Sequence, residues 1–207
     1  MSKRIHFARM ASAAEKPIER APQRIAILTG QSMLTRSPLS PRQAAFLDAV
    51  APPGWVKVGG GFPFDADGPP DAPAPFAQAA VSSIRQYLWA SGRRGYDRLA
   101  AGALNRLLFA TAEHLVLLAG SSGLAIFNAA EPHLETGEAR VSVIGLGPAG
   151  RIPARPHGFF AIRARKDRWS QLLGPRADAL VDGDHYCYWH SDDVRSLVAE
   201  QLARSCA

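Results

Sequence analysis

An α/β fold, with a mostly parallel six-stranded sheet and helices on both faces, is predicted by two features of this sequence. Short apolar runs alternate along the chain with longer segments whose apolar residues recur at helical spacing. The 207 residues, 47% hydrophobic and 20% charged, suit one domain with a sizeable core, and no internal repeat or second domain is evident.

The first strand is expected over Ile25 to Thr29, an apolar run ended by Gly30. Ser40 has the marks of an N-cap, with Pro41 at the first helical position and Gln43 completing a capping box. That helix carries Phe46, Leu47 and Val50 on one face and stops before Pro52 and Pro53. Trp55 to Val58 reads as the second strand, followed by Gly59 to Gly61 and a loop rich in Pro, Asp and Ala from Phe62 to Pro75. Two helices follow, one striped by Ala80, Ile84 and Leu88, the other by Ala100, Leu104, Leu107, Leu108 and Thr111, with Gly92 to Gly95 between them. Leu115 to Ala119 is the third strand, and a helix after it ends before Pro132. Val141 to Ile144, Phe159 to Arg163 and Ala177 to Val181 complete the sheet. A last helix has Val194, Leu197, Val198 and Leu202 on one face, and Ser191, Asp192 and Asp193 suit its start.

Residues 24–207 are expected to form the domain, with 62–112 placed where a cap would lie. Met1 to Gln23 carries Lys3, Arg4, Arg9, Lys16 and Arg20 without an apolar core; it reads as a flexible basic arm rather than a secretory signal. No apolar stretch approaches the about 20 residues of a membrane helix. Two cysteines, Cys187 and Cys206, imply no disulfide framework, and a reducing compartment such as the cytoplasm is the expectation. The net charge of +6 suits an anionic partner. The densest basic stretch runs from Arg151 through Arg155, Arg163, Arg165, Lys166 and Arg168; Arg163, Arg165 and Arg168 are candidate anion-docking residues, against the plainer reading of a solvated loop. No nucleic-acid motif accompanies them.

Gly145-Leu146-Gly147-Pro148-Ala149-Gly150 matches G-x-G-x-x-G after a strand. A dinucleotide site requires a helix to open there, and Pro153 and Pro156 leave no room for one before the next strand. No redox cofactor is expected. His185, Cys187 and His190 match no strong zinc spacing, and no metal is expected either.

The most informative stretch is Ala119-Gly120-Ser121-Ser122-Gly123. A small residue two before a serine and a glycine two after it let the chain reverse sharply from strand to helix. Such a turn lifts the hydroxyl above the sheet and leaves the next N–H, that of Ser122, free at a helix start. The plainer alternative is a serine that merely caps the helix, and Ser122 is a rival nucleophile with the bulkier Leu124 at its own second following position. A serine nucleophile needs a base and an orienting acid. Asp167 lies just past the fifth strand and His185 just past the sixth, so the chain order is Ser121, Asp167, His185, each at the carboxyl edge of the sheet. Asp182 and Asp184 are rival acids in the histidine's own loop.

In these features the chain resembles the α/β-hydrolase superfamily, as a small member with a minimal sheet lacking two N-terminal strands. Ala119 stands in place of the first glycine of G-x-S-x-G, and Gly183-Asp184-His185-Tyr186 resembles the family's histidine loop. Thr29-Gly30-Gln31-Ser32 occupies the place of the family's His-Gly turn, without the histidine. The resemblance implies an oxyanion hole of the Ser122 and Gln31 backbone N–H groups. It implies a serine hydrolase that cleaves a small-molecule ester or thioester through an acyl-enzyme. The alternatives are an acyltransferase, or a thioesterase for an acyl carrier protein or coenzyme A, on the same machinery, and a catalytically silent relative that binds a ligand or partner. Tyr87, Leu88 and Trp89 are candidate acyl-pocket residues, against the plainer reading of helix core.

Overall fold

Six parallel strands make one sheet: β1 (Ala21–Thr29), β2 (Val56–Lys57), β3 (Thr111–Gly120), β4 (Arg140–Leu146), β5 (Gly158–Ala164) and β6 (Ala179–Val181), ordered β2-β1-β3-β4-β5-β6. Around it lie α1 (Ser2–Glu15), α2 (Pro41–Val50), α3 (Phe76–Gly92), α4 (Tyr96–Phe109), α5 (Gly123–Ala130), α6 (Arg168–Leu173) and α7 (Asp192–Cys206). The computed structural model describes residues 2–30, 37–65, 76–92 and 95–206. The α/β class and the six-stranded sheet are as the sequence predicts.

Strand side chains alternate between two cores, as strand pleating requires. Ala26, Leu28, Leu115, Leu117 and Val143 face α1, α3, α4 and α5; Ile25, Ile27, Val116, Leu118 and Ile144 face α2 and α7. Because both faces are covered, β1 and β3 read as unbroken apolar runs. The capping box of α2 is present: Ser40 Oγ accepts from the Gln43 N–H, and Gln43 Oε1 accepts from the Ser40 N–H at 2.9 Å.

The N-terminal segment corrects the sequence expectation. Residues 2–15 are helix α1, packed on α4, not a free arm. His6, Met10 and Ala13 are fully buried at helical spacing, and burying a methionine stabilises by about 1.5–3 kcal/mol. The His6 ring stacks near Trp89 and Tyr96, with centroids 5.7 and 6.2 Å away. The basic residues tie the helix down: Arg9 donates to Ser37 Oγ at 3.0 Å and Lys16 to Asp65 at 2.8 Å. β1 likewise begins at Ala21, before the expected Ile25.

The cap expectation also changes. α4 is a core helix, with Ala100, Leu104 and Leu107 buried, and Phe62 and Phe64 pack in the same core. Residues 66–75, the greater part of the expected loop from Phe62 to Pro75, lie outside the described residues.

The register brings the strand ends level. Thr29 pairs with Gly120, Gly120 with Leu146, Leu146 with Ile162, and Ala164 with Val181. The chain leaves β1 toward β2 on one side and continues from β3 on the other. The crevice between the ends of β1 and β3 is therefore the switch point where open α/β sheets place their ligands. Among the described residues, no helix is long and apolar enough to cross a membrane.

Candidate functional site

A cleft of about 270 Å³ opens at that switch point. Thr29 and Gly30 from the end of β1, Gly120 and Ser121 from the end of β3, and His185 and Trp189 from the last loop line it.

Ser121 sits in a left-handed backbone conformation, φ 51°. For a residue with a Cβ this costs about 1–3 kcal/mol and persists only when neighbours enforce it. Two hydrogen bonds do so: the Ser121 N–H donates to the Leu146 carbonyl at 3.2 Å, and the Ala149 N–H donates to the Ser121 carbonyl at 2.9 Å. The clamp belongs to the Gly145–Gly150 stretch that mimics a dinucleotide fingerprint. No helix follows it before β5, and its work is to hold the serine turn.

Glycines let the backbones around the turn close up. A Cβ on Gly123 would lie 1.8 Å from the Leu28 carbonyl oxygen, and one on Gly30 would lie 2.2 Å from Ser122 Oγ. Ser122 is buried against β1, with its hydroxyl unpartnered among the described residues, so of the two serines it is Ser121 that faces the cleft. Ser122 is also the N-cap of α5, and its N–H makes no hydrogen bond among the described residues. Gln31, the other expected oxyanion donor, lies outside the described residues.

Asp167 and His185 come together as the order of strands predicts. His185 Nδ1 is 2.9 Å from Asp167 Oδ2, whose side chain is 0% exposed. Tyr188 Oη donates to the same oxygen at 2.7 Å, and the Ser170 N–H donates to Oδ1 at 3.0 Å. Asp167 is thus also the N-cap of α6, a helix the sequence reading missed. Trp169 and Leu172 are exposed on it, so no apolar stripe marked it; the Asp167 to Ser170 spacing was the available signal. The rivals lie apart: Asp182 is exposed and faces Arg165 at 3.4 Å, and Asp184 accepts from the Tyr186 N–H at 2.9 Å. No hydrogen bond joins the Ser121 hydroxyl to His185, although both line the cleft.

Burial by itself would raise the Asp167 pKa. The hydrogen bonds from His185, Ser170 and Tyr188 outweigh it and hold the carboxyl below its ordinary 3.8. Burial, with the nearby Asp167 charge, pushes the Tyr188 hydroxyl up, so it stays a donor. Gly147, φ 57°, leaves room for the pair: a Cβ there would lie 2.4 Å from the Tyr188 ring and 2.7 Å from Asp167 Oδ2.

Replacing Tyr188 with phenylalanine removes a donor from a buried carboxylate and is expected to cost about 1.5–3 kcal/mol. A carboxyl depressed in the folded state stabilises above its unfolded value and loses that contribution as pH falls through the folded value. The deficit of Tyr188→Phe is therefore largest near neutrality and shrinks below 3.8, which denaturant titrations at several pH values measure.

The expected anion-docking residues are not in the cleft. Arg163 lies on β5 with its Nε buried, Arg165 pairs with Asp182, and Arg168 opens α6. Among the described residues, the arginine that lines the cleft is Arg42, in the first turn of α2. Its signal was its place just behind the Ser40-Pro41 cap. Of the expected acyl-pocket residues, Trp89 is core and Leu88 is exposed. Tyr87 lines a separate cavity of about 340 Å³ with Ala125, Asn128 and Arg151. From α3 it is Ser83 that reaches the cleft. Among the described residues, no group of three His, Cys, Asp or Glu side chains is placed to hold a metal.

Compared with known protein families, curated proteins and solved structures, the chain matches none.

Proposed function

We propose that this chain is a serine hydrolase of α/β-hydrolase type that cleaves an ester or thioester. The observation that carries the reading is the Asp167 to His185 hydrogen bond of 2.9 Å at the mouth of a cleft that also holds the strained Ser121 turn. A buried carboxylate held ionised by two further donors is what orienting an imidazole requires.

In this mechanism Asp167 Oδ2 accepts the His185 Nδ1–H and so leaves Nε2 as the base. His185 takes the Ser121 proton as Oγ attacks the carbonyl carbon. The Ser122 N–H, at the start of α5, stabilises the oxyanion. Collapse breaks the bond to the leaving alcohol or thiol, which takes the proton from His185. Water, deprotonated by His185, then attacks the acyl-enzyme and frees Ser121. The mechanism requires a Ser121 to His185 hydrogen bond to form when substrate fills the cleft that both side chains line. Cytoplasmic residence belongs to the same proposal and rests on cysteine usage, with Cys187 a buried free thiol.

A fluorophosphonate probe tests the reading. The expected result is one adduct, mapped by mass to Ser121 and absent from a folded Ser121→Ala variant. Failure of the folded protein to react with the probe supports a ligand-binding relative instead.

A further inference from the structure

We infer that the cleft takes an ester or thioester that itself carries an anionic group, a carboxylate or a phosphate, held at Arg42. The inference rests on the serine-hydrolase reading and names the substrate class of that site.

Among the described residues, the cleft lining includes no Asp or Glu side chain, and Arg42 is its one guanidinium. Among the described residues Arg42, which is exposed, makes no hydrogen bond or ion pair, unlike Arg151 on Glu131 at 3.2 Å or Arg165 on Asp182 at 3.4 Å. Its position runs against the helix that carries it. Cations are unfavourable in a first turn, where the helix end is already positive, and α2 has no acidic residue there to offset it. Nothing in the packing of α2 needs this charge, since Phe46, Leu47 and Val50 are its buried face. A bound anion resolves the conflict by neutralising both the guanidinium and the helix end.

The backbone is set up for the same partner. Pro41 has no N–H, the Gln43 N–H is taken by Ser40 Oγ, and the Ala44 N–H donates to the Ser40 carbonyl at 2.9 Å. The Arg42 N–H is left without a partner among the described residues. Ser40, Arg42 and Gln43 all line the cleft that holds Ser121 and His185, so an anion here belongs to a molecule whose carbonyl reaches the serine. The chain's net charge of +6 favours its approach.

The test uses p-nitrophenyl methyl alkylphosphonates with alkyl arms of graded length ending in a carboxamide, a carboxylate or a phosphate. Ser121 Oγ forms a bond to phosphorus, the bond to the aryl oxygen breaks, and released p-nitrophenolate reports the rate. The expected result is that an anionic arm at its best length reacts on the order of tenfold faster than the carboxamide of that length. The ratio falls toward unity in Arg42→Gln, survives in part in Arg42→Lys and shrinks with added salt. Whichever of the two anions reacts faster identifies the source. Equal rates for charged and neutral arms at every length, or a preference kept in Arg42→Gln, overturn the inference while Ser121 modification leaves the hydrolase reading standing. If no probe modifies Ser121 in the folded protein, the hydrolase reading falls and this inference falls with it.

Discussion

Asp167→Asn is expected, on the serine-hydrolase proposal, to lower ester turnover by about 10⁴-fold while the protein stays folded, because an asparagine in that place presents the wrong partner to His185 Nδ1. The amide is close to isosteric, and its oxygen, placed at Oδ1, still accepts the Ser170 N–H that caps α6. Its nitrogen then sits where Oδ2 now takes bonds from both His185 and Tyr188. A donor at that point turns the imidazole to the tautomer whose Nε2 carries a proton, and the base is lost. The loss appears in kcat, with circular dichroism and the unfolding midpoint reporting that the helices remain. Turnover within a few-fold of the parent shifts the acid role away from Asp167. Asp182→Asn and Asp184→Asn are the controls, since among the described residues Asp182 pairs with Arg165 and Asp184 accepts from the Tyr186 N–H, and neither makes a hydrogen bond or ion pair to the imidazole.

Gly123→Ala destabilises the fold by about 4 kcal/mol or more, the range reserved for substitutions that the backbone cannot absorb. The new methyl would sit 1.8 Å from the Leu28 carbonyl oxygen and 2.7 Å from its carbon, both main-chain atoms of a central strand. Accommodating it means moving α5 off β1, and Ser121 moves with it. Gly59→Ala is the comparison: among the described residues, no heavy atom beyond its chain neighbours lies within 4 Å of its new methyl, and its stability stays within about 0.5 kcal/mol of the parent. Denaturant unfolding of the two variants measures the difference. Equal midpoints would mean that the start of α5 does not press on β1.

The alternation of apolar runs and helical stripes made the sheet legible, because parallel strands covered on both faces cannot hide their hydrophobicity. Glycine and charge at the strand ends located Ser121, Asp167 and His185 on one rim, and the structure joins the last two directly. Helix α1 was illegible for a specific reason. One of its buried positions is His6, which counts as polar in any apolar pattern yet stacks on Trp89 and Tyr96 as an aromatic ring. α6 was missed because a helix as short as Arg168–Leu173, with Leu172 exposed, has no periodicity to detect. The purpose of Gly145–Gly150 lay in three dimensions: only pairing across β3 and β4 brings Ala149 to the Ser121 carbonyl. Arg42 was passed over for a similar reason. Charge density along the chain favours the Arg163 to Arg168 stretch, whereas the crevice recruits a single arginine from a helix start more than a hundred positions away.

The rims of the sheet are short. β2 contributes two residues to one border and β6 three to the other, while the long strands β1 and β3 lie inside. A border of that length exposes too few unpaired main-chain donors and acceptors to template an extended segment of a second chain. Edge strands this short disfavour amyloid-like growth by lateral strand addition, and a destabilised variant that loses β2 or β6 would bare more of β1 or β5 and gain that hazard.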